Sequence, residues 1–88
     1  MAVFCISYDL KSGNYESLKE AIQTYGVWWH QAESNWFIQS NQSAKQILEY
    51  LRNYIGQNDK LMVIQVQRSW WATGHTDEEY NWFKQRNF

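Results

Sequence analysis

The chain has 88 residues, which is room for one domain and one modest core. Eight basic and nine acidic side chains give a formal net charge of −1 with no polybasic run, so composition gives no support for strong electrostatic binding to a nucleic-acid backbone. No segment approaches the length of a membrane span and no basic region precedes an apolar run at the start, so a soluble, cytoplasmic protein without membrane contact is expected.

Val3-Phe4-Cys5-Ile6-Ser7-Tyr8 opens the chain as a strand whose unbroken apolar and β-favouring character implies burial on both faces. It runs straight into Asp9, a carboxylate where the strand must end. Cys5 is the only cysteine, so no internal disulfide exists; a buried, inert thiol in a reducing compartment fits. After a turn-rich connector, Asn14 is placed to cap a helix over residues 15–25, where Tyr15, Leu18, Ile22 and Tyr25 form one apolar stripe. Gly26 then supplies a left-handed stop.

Val27 to Gln31 and Trp36 to Gln39 are short β-prone runs, expected to pair as a hairpin around residues 32–35. Ser43 and Gln46 match a capping box, opening a helix with Ala44, Ile47, Leu48, Leu51 and Ile55 as its buried stripe and Gly56 as its stop. Lys60 to Gln67 is a final strand. Beyond it residues 69–75 are irregular and aromatic. Thr76 and Glu79 then form a second capping box, heading a short helix on which Tyr80 and Phe83 share a face.

This order, β-α-β-β-α-β, predicts an α+β fold of ferredoxin-like type: a four-stranded antiparallel sheet with two helices on one face. Residues 1–68 would form that domain. Residues 69–88 would be a C-terminal aromatic tail or helix, packing on the same domain or on a partner subunit. The first and last strands are expected to be central. On both of them the two faces carry apolar residues, so the helix-free face would expose roughly several hundred square ångströms of apolar surface. A homodimer is the expected cover. The alternative is that the Trp-rich tail folds over that face.

Dimerisation would give Asp9 a function that one copy cannot provide. Two Asp9 carboxylates brought together near a twofold axis suffice to hold Mg²⁺ or Mn²⁺ weakly; otherwise Asp9 caps the following turn. Neither His30 nor His75 has a partner at zinc-site spacing. His30 is expected to be a half-buried strand residue and His75 to be solvated. Ser7 and Ser34 lack a telling base, and no glycine loop suits a phosphate. Phe4, Tyr8, Trp36 and Phe37 occupy strands that stack bases in RNA-recognition modules, but core packing explains them better. The candidate interaction surface is Trp28, His30, Trp70 and Trp71.

Ile6-Ser7-Tyr8-Asp9-Leu10 resembles the first-strand signature of the small CRISPR-associated Cas-two proteins, and Glu33-Ser34-Asn35-Trp36-Phe37-Ile38 their third-strand entry. Gly26-Val27-Trp28-Trp29-His30, Asn58-Asp59-Lys60-Leu61 and Glu78-Glu79-Tyr80-Asn81-Trp82-Phe83 are similar to segments of short SinR-like, Cas-two-like bacterial proteins. The resemblance implies a ferredoxin-like homodimer among relatives that include metal-dependent nucleases, VapD-type ribonucleases and non-catalytic scaffolds for DNA integration. It carries Asp9 over as a metal-binding carboxylate. Two departures stand out: His30-Gln31-Ala32-Glu33 lacks the basic residue usual before the third strand, and the tail reads as helix rather than as a strand exchanged with a partner. The expected function is therefore a homodimeric module binding protein or nucleic acid without catalysis. The alternatives are a divalent-metal-dependent endonuclease acting on RNA or DNA through paired Asp9 carboxylates, and a toxin-antitoxin component.

Overall fold

The apolar periodicities resolve into strands and helices close to those expected. The computed structural model describes residues 1–11, 15–67, 69 and 73–86. In chain order the elements are β1 (Ala2–Asp9), α1 (Tyr15–Gln23), β2 (Trp28–Ala32), β3 (Asn35–Ser40), α2 (Ala44–Leu51) followed by a 3-10 turn (Arg52–Tyr54), β4 (Lys60–Val66) and α3 (Asp77–Lys84). The four strands form one antiparallel sheet in the order β2-β3-β1-β4. The result is an α+β fold compatible with the ferredoxin-like arrangement.

Strand period sets the core. Phe4, Ile6 and Tyr8 of β1 share a face with Trp36 and Ile38 of β3, and all five are buried. Leu18, Ala21 and Ile22 of α1 and Ile47 and Leu51 of α2 close over that face, with Leu61 and Val63 of β4 half-buried against the cluster. Burial on this scale stabilises by about 1.5–3 kcal/mol for each large side chain.

Local chemistry explains the element ends. Gly26 adopts φ +82° and its N–H donates to the Gln23 carbonyl at 3.1 Å, the left-handed stop expected after α1. The expected Asn14 cap lies outside the described residues. The Ser43 box forms in full: Gln46 N–H donates to Ser43 Oγ at 3.2 Å, and Ser43 N–H to Gln46 Oε1 at 2.9 Å. However, α2 stops at Leu51 rather than reaching Ile55. Asn53 Nδ2 donates to the carbonyls of Glu49 and Tyr50, both at 3.1 Å, and so satisfies orphan acceptors of the last turn. Ile55 is already extended, and Gly56 is not a left-handed stop. The Thr76 box also forms, and acidic side chains fill the first turn of α3 with Lys84 in its last, as the helix dipole favours.

The expected placing of the last strand is overturned. β1 and β3 are the central strands, while β4 lies at an edge. The apolar run of β4 does not reflect centrality. Leu61 and Val63 lie on the helix side, whereas Met62 and Ile64 stand on the other face, 58% and 49% exposed.

That second face is partly covered by the tail. Trp29 of β2 and Phe37 of β3 are register partners on it. Phe83 of α3 meets both edge-on, at 5.3 and 4.8 Å between ring centroids, and Trp82 lies 5.8 Å from Trp29. Thus α3 takes the β2–β3 half of the face and leaves Met62 and Ile64 uncovered.

Candidate functional site

Asp9 borders a cleft of about 770 Å³ at the end of β1, formed with Tyr8, Leu10, Tyr15, Lys19, His30, Glu33 and Ser34. Its floor is rigid. Trp36 Nε1 donates to the Tyr8 hydroxyl at 3.1 Å, and that hydroxyl donates to the Glu33 carbonyl at 2.9 Å. The backbone repeats the tie, since Tyr8 N–H donates to the Ser34 carbonyl at 3.2 Å. Burial first, then Tyr15, pushes the Tyr8 phenol well above its ordinary range. Tyr8 therefore pins the β2–β3 turn to the end of β1 and takes no part in proton exchange near neutrality.

His30 lies flat on Trp36, with centroids 4.0 Å apart and planes 7° from parallel. Its Nε2 is 3.5 Å from the Tyr15 hydroxyl and 3.4 Å from the Glu33 carbonyl. Either form of the ring is served: a bare nitrogen accepts from Tyr15, and a protonated one donates to Glu33. Trp36 covers one face of the ring, while the residue as a whole is exposed. Trp28 stands on the same face, 39% exposed and 5.3 Å from Trp36. Two of the four residues expected to form an interaction surface, Trp28 and His30, are thus gathered around Trp36. Trp70 and Trp71 lie outside the described residues.

Asp9 is exposed at the strand end, in register with Lys60 of β4. Among the described residues no hydrogen bond reaches its carboxylate. The turn-capping role expected for it belongs to Asp59, which sequence reasoning passed over. Asp59 Oδ1 accepts from Lys11 N–H and Oδ2 from Gly56 N–H, both at 2.6 Å, tying the exit of β1 to the entry of β4. An Asp three residues after Gly56 was the available signal. Among the described residues no three His, Cys, Asp or Glu side chains come together as a metal site. Asp9 can supply one ligand, and a second carboxylate would have to come from another copy.

A second recess, about 370 Å³, lies beneath α3 between Trp29, Phe37, Val66, His75, Glu79 and Phe83. His75 is not solvated as expected. Its Nδ1 is 2.6 Å from Glu79 Oε2, and its ring meets Trp29 and Tyr80 edge-on at 5.7 and 5.8 Å. The hydrogen bond from His75 holds the Glu79 carboxyl below its usual range. Cys5, on the same side of the sheet, has its thiol pushed up by burial, which fits an unreactive residue.

No helix among the described residues is long and apolar enough to cross a membrane. Compared with family models, curated proteins and solved structures, the chain matches none.

Proposed function

We propose that the chain is a homodimeric, non-catalytic interaction module of ferredoxin-like fold, of the SinR-like and Cas-two-like kind. The strand order, with β1 and β3 inside, and the packing of α1 and α2 on one face support that fold. The observation that carries the dimer is the pair Met62 and Ile64, large apolar side chains left in solvent beside a face that α3 covers only in part. The partner surface is the aromatic rim around Trp28 and His30. Protein is favoured over nucleic acid, because Asp9 and Glu33 offset Lys19 in the cleft beside that rim. Light scattering on the purified protein tests the dimer. A dimer that leaves RNA and DNA intact with Mg²⁺ or Mn²⁺ is the expected result, and a monomer at every concentration would sink the reading.

A second reading is a divalent-metal-dependent endonuclease. It is favoured by Asp9 itself, an exposed carboxylate with no hydrogen bond among the described residues, bordering the cleft that also holds His30 and Lys19. Two such carboxylates brought together by dimerisation would hold the metal. Cleavage abolished by Asp9→Asn with the dimer intact would establish this reading over the first.

A further inference from the structure

We infer that the outer edge of β4 is a self-recognition strand: two copies pair antiparallel along it, with Val63 on the twofold axis, to build one eight-stranded sheet. The inference rests on the homodimer reading and says where its interface lies.

The two edges of the sheet are treated differently. β2 has five residues, a register shift between His30 and Ala32, and α3 packed over its Trp29. Short length, a bulge and a covering element are the devices that blunt an edge. Among the described residues β4 has none of them. Its seven residues run in unbroken register against β1, from Lys60 opposite Asp9 to Val66 opposite Val3. Between Lys60 and Val66 it carries no charge and no proline, and the one polar side chain is Gln65. A strand with the composition of a sheet centre stands at the rim, with Met62 and Ile64 exposed beside its outer edge.

The strand is self-complementary about Val63. Antiparallel pairing on that axis sets Met62 of one copy against Ile64 of the other, Leu61 against Gln65, and Lys60 against Val66. No like charges meet, because the two lysines lie at opposite ends. Area agrees with an edge contact better than with a facial one. Seven residues span about 24 Å, and a sheet layer backed by α2 is about 20 Å deep, so the edge offers roughly 500 Å² per copy. The total of about 1,000 Å² reaches the floor for a specific interface. The open face offers only the exposed parts of Met62 and Ile64, roughly 200 Å², too little for a specific interface without the strand edge beside them.

Edge pairing also separates the two readings of Asp9. Its partner Lys60 is three residues from the axis, so the two Asp9 positions fall on opposite ends of the joint sheet. They are about 20 Å apart along the strands and about 14 Å across them, roughly 25 Å in all, too far to share an ion.

The test uses single-cysteine variants on a Cys5→Ser background. Met62→Cys and Ile64→Cys protein are mixed in equal amounts and mildly oxidised, alongside each variant alone, with oligomeric state read by light scattering. Covalent dimer is expected several-fold more abundant in the mixture than in either variant alone. A second variant, Met62→Lys with Ile64→Lys, should keep its circular dichroism and weaken dimerisation by at least about tenfold. A dimer whose mixture crosslinks no better than its components overturns the edge and leaves the homodimer reading standing. So does a double-lysine variant that dimerises like the wild type. A wild-type monomer overturns both.

Discussion

The Trp36 indole donates its N–H to the Tyr8 hydroxyl at 3.1 Å in a buried setting, and a face of the same indole carries the flat His30 ring. A core tryptophan is thereby tied to the rim of the cleft. Removing the acceptor leaves a buried donor without a partner and frees the Glu33 carbonyl. Tyr8→Phe is expected to cost about 1–3 kcal/mol, the usual penalty of an orphaned buried polar group. Urea denaturation followed by tryptophan fluorescence measures it. A loss under about 0.5 kcal/mol would mean that water replaces the phenol.

Asp9 and Asp59 are expected to behave oppositely. Asp59→Ala removes a carboxylate that accepts hydrogen bonds from the Lys11 and Gly56 N–H groups and should cost about 1.5–3 kcal/mol. Asp9→Asn should change stability by less than about 0.5 kcal/mol, as surface substitutions do. Thermal unfolding of the two variants side by side checks the assignment. Equal losses would put Asp9 back among the structural residues.

Phe83 anchors α3 to Trp29 and Phe37, so Phe83→Ala should release the helix while the sheet stays folded. The loss is estimated at about 1–3 kcal/mol, below that of a fully buried Phe. Hydrogen exchange should show faster exchange over Asp77–Lys84 alone, and a global change would contradict it. Acid acts on the same helix. The folded Glu79 carboxyl is held below its ordinary range, so its contribution is present at neutral pH and is lost as pH falls through the carboxylate range. Glu79→Gln should remove that acid sensitivity.

At the alkaline end, burial and then Tyr50 push the Tyr25 phenol up to about 12. A folded value above the unfolded one, about 10, means that the contribution is intact below pH 10 or so. It should fall away as pH rises through about 12. Tyr8 is shifted in the same direction. Stability measured against pH should therefore stay flat to mildly alkaline values and then drop. Tyr25→Phe should soften the drop, and an unchanged profile would assign it elsewhere.

Much of the fold was legible because side-chain period and local capping decide it. Leu18 and Ile22 mark the buried side of α1. Ser43 with Gln46 and Thr76 with Glu79 start their helices through contacts three residues apart. The place of β4 was not legible, since an apolar row looks the same whether a neighbouring strand or solvent lies beside it. The cleft was half legible. Asp9 was visible as a carboxylate ending a strand, but the stack of His30 on Trp36 depends on cross-strand register, which spacing along one strand does not contain. Asp59 was hidden because one of its partners, Lys11, lies forty-eight positions away.

The position of β1 in the sheet bears on how the protein is made. This central strand is synthesised first, yet both its neighbours come later, and its pairing with β4 joins residues 51 to 63 apart in sequence. A growing chain cannot close the sheet until residues near Val66 have left the ribosome. Until then, the edge of β1 that β4 will fill stays open, even after β3 has paired with the other. Synthesis rate and chaperone access during that interval should therefore govern yield more than the stability of the finished fold.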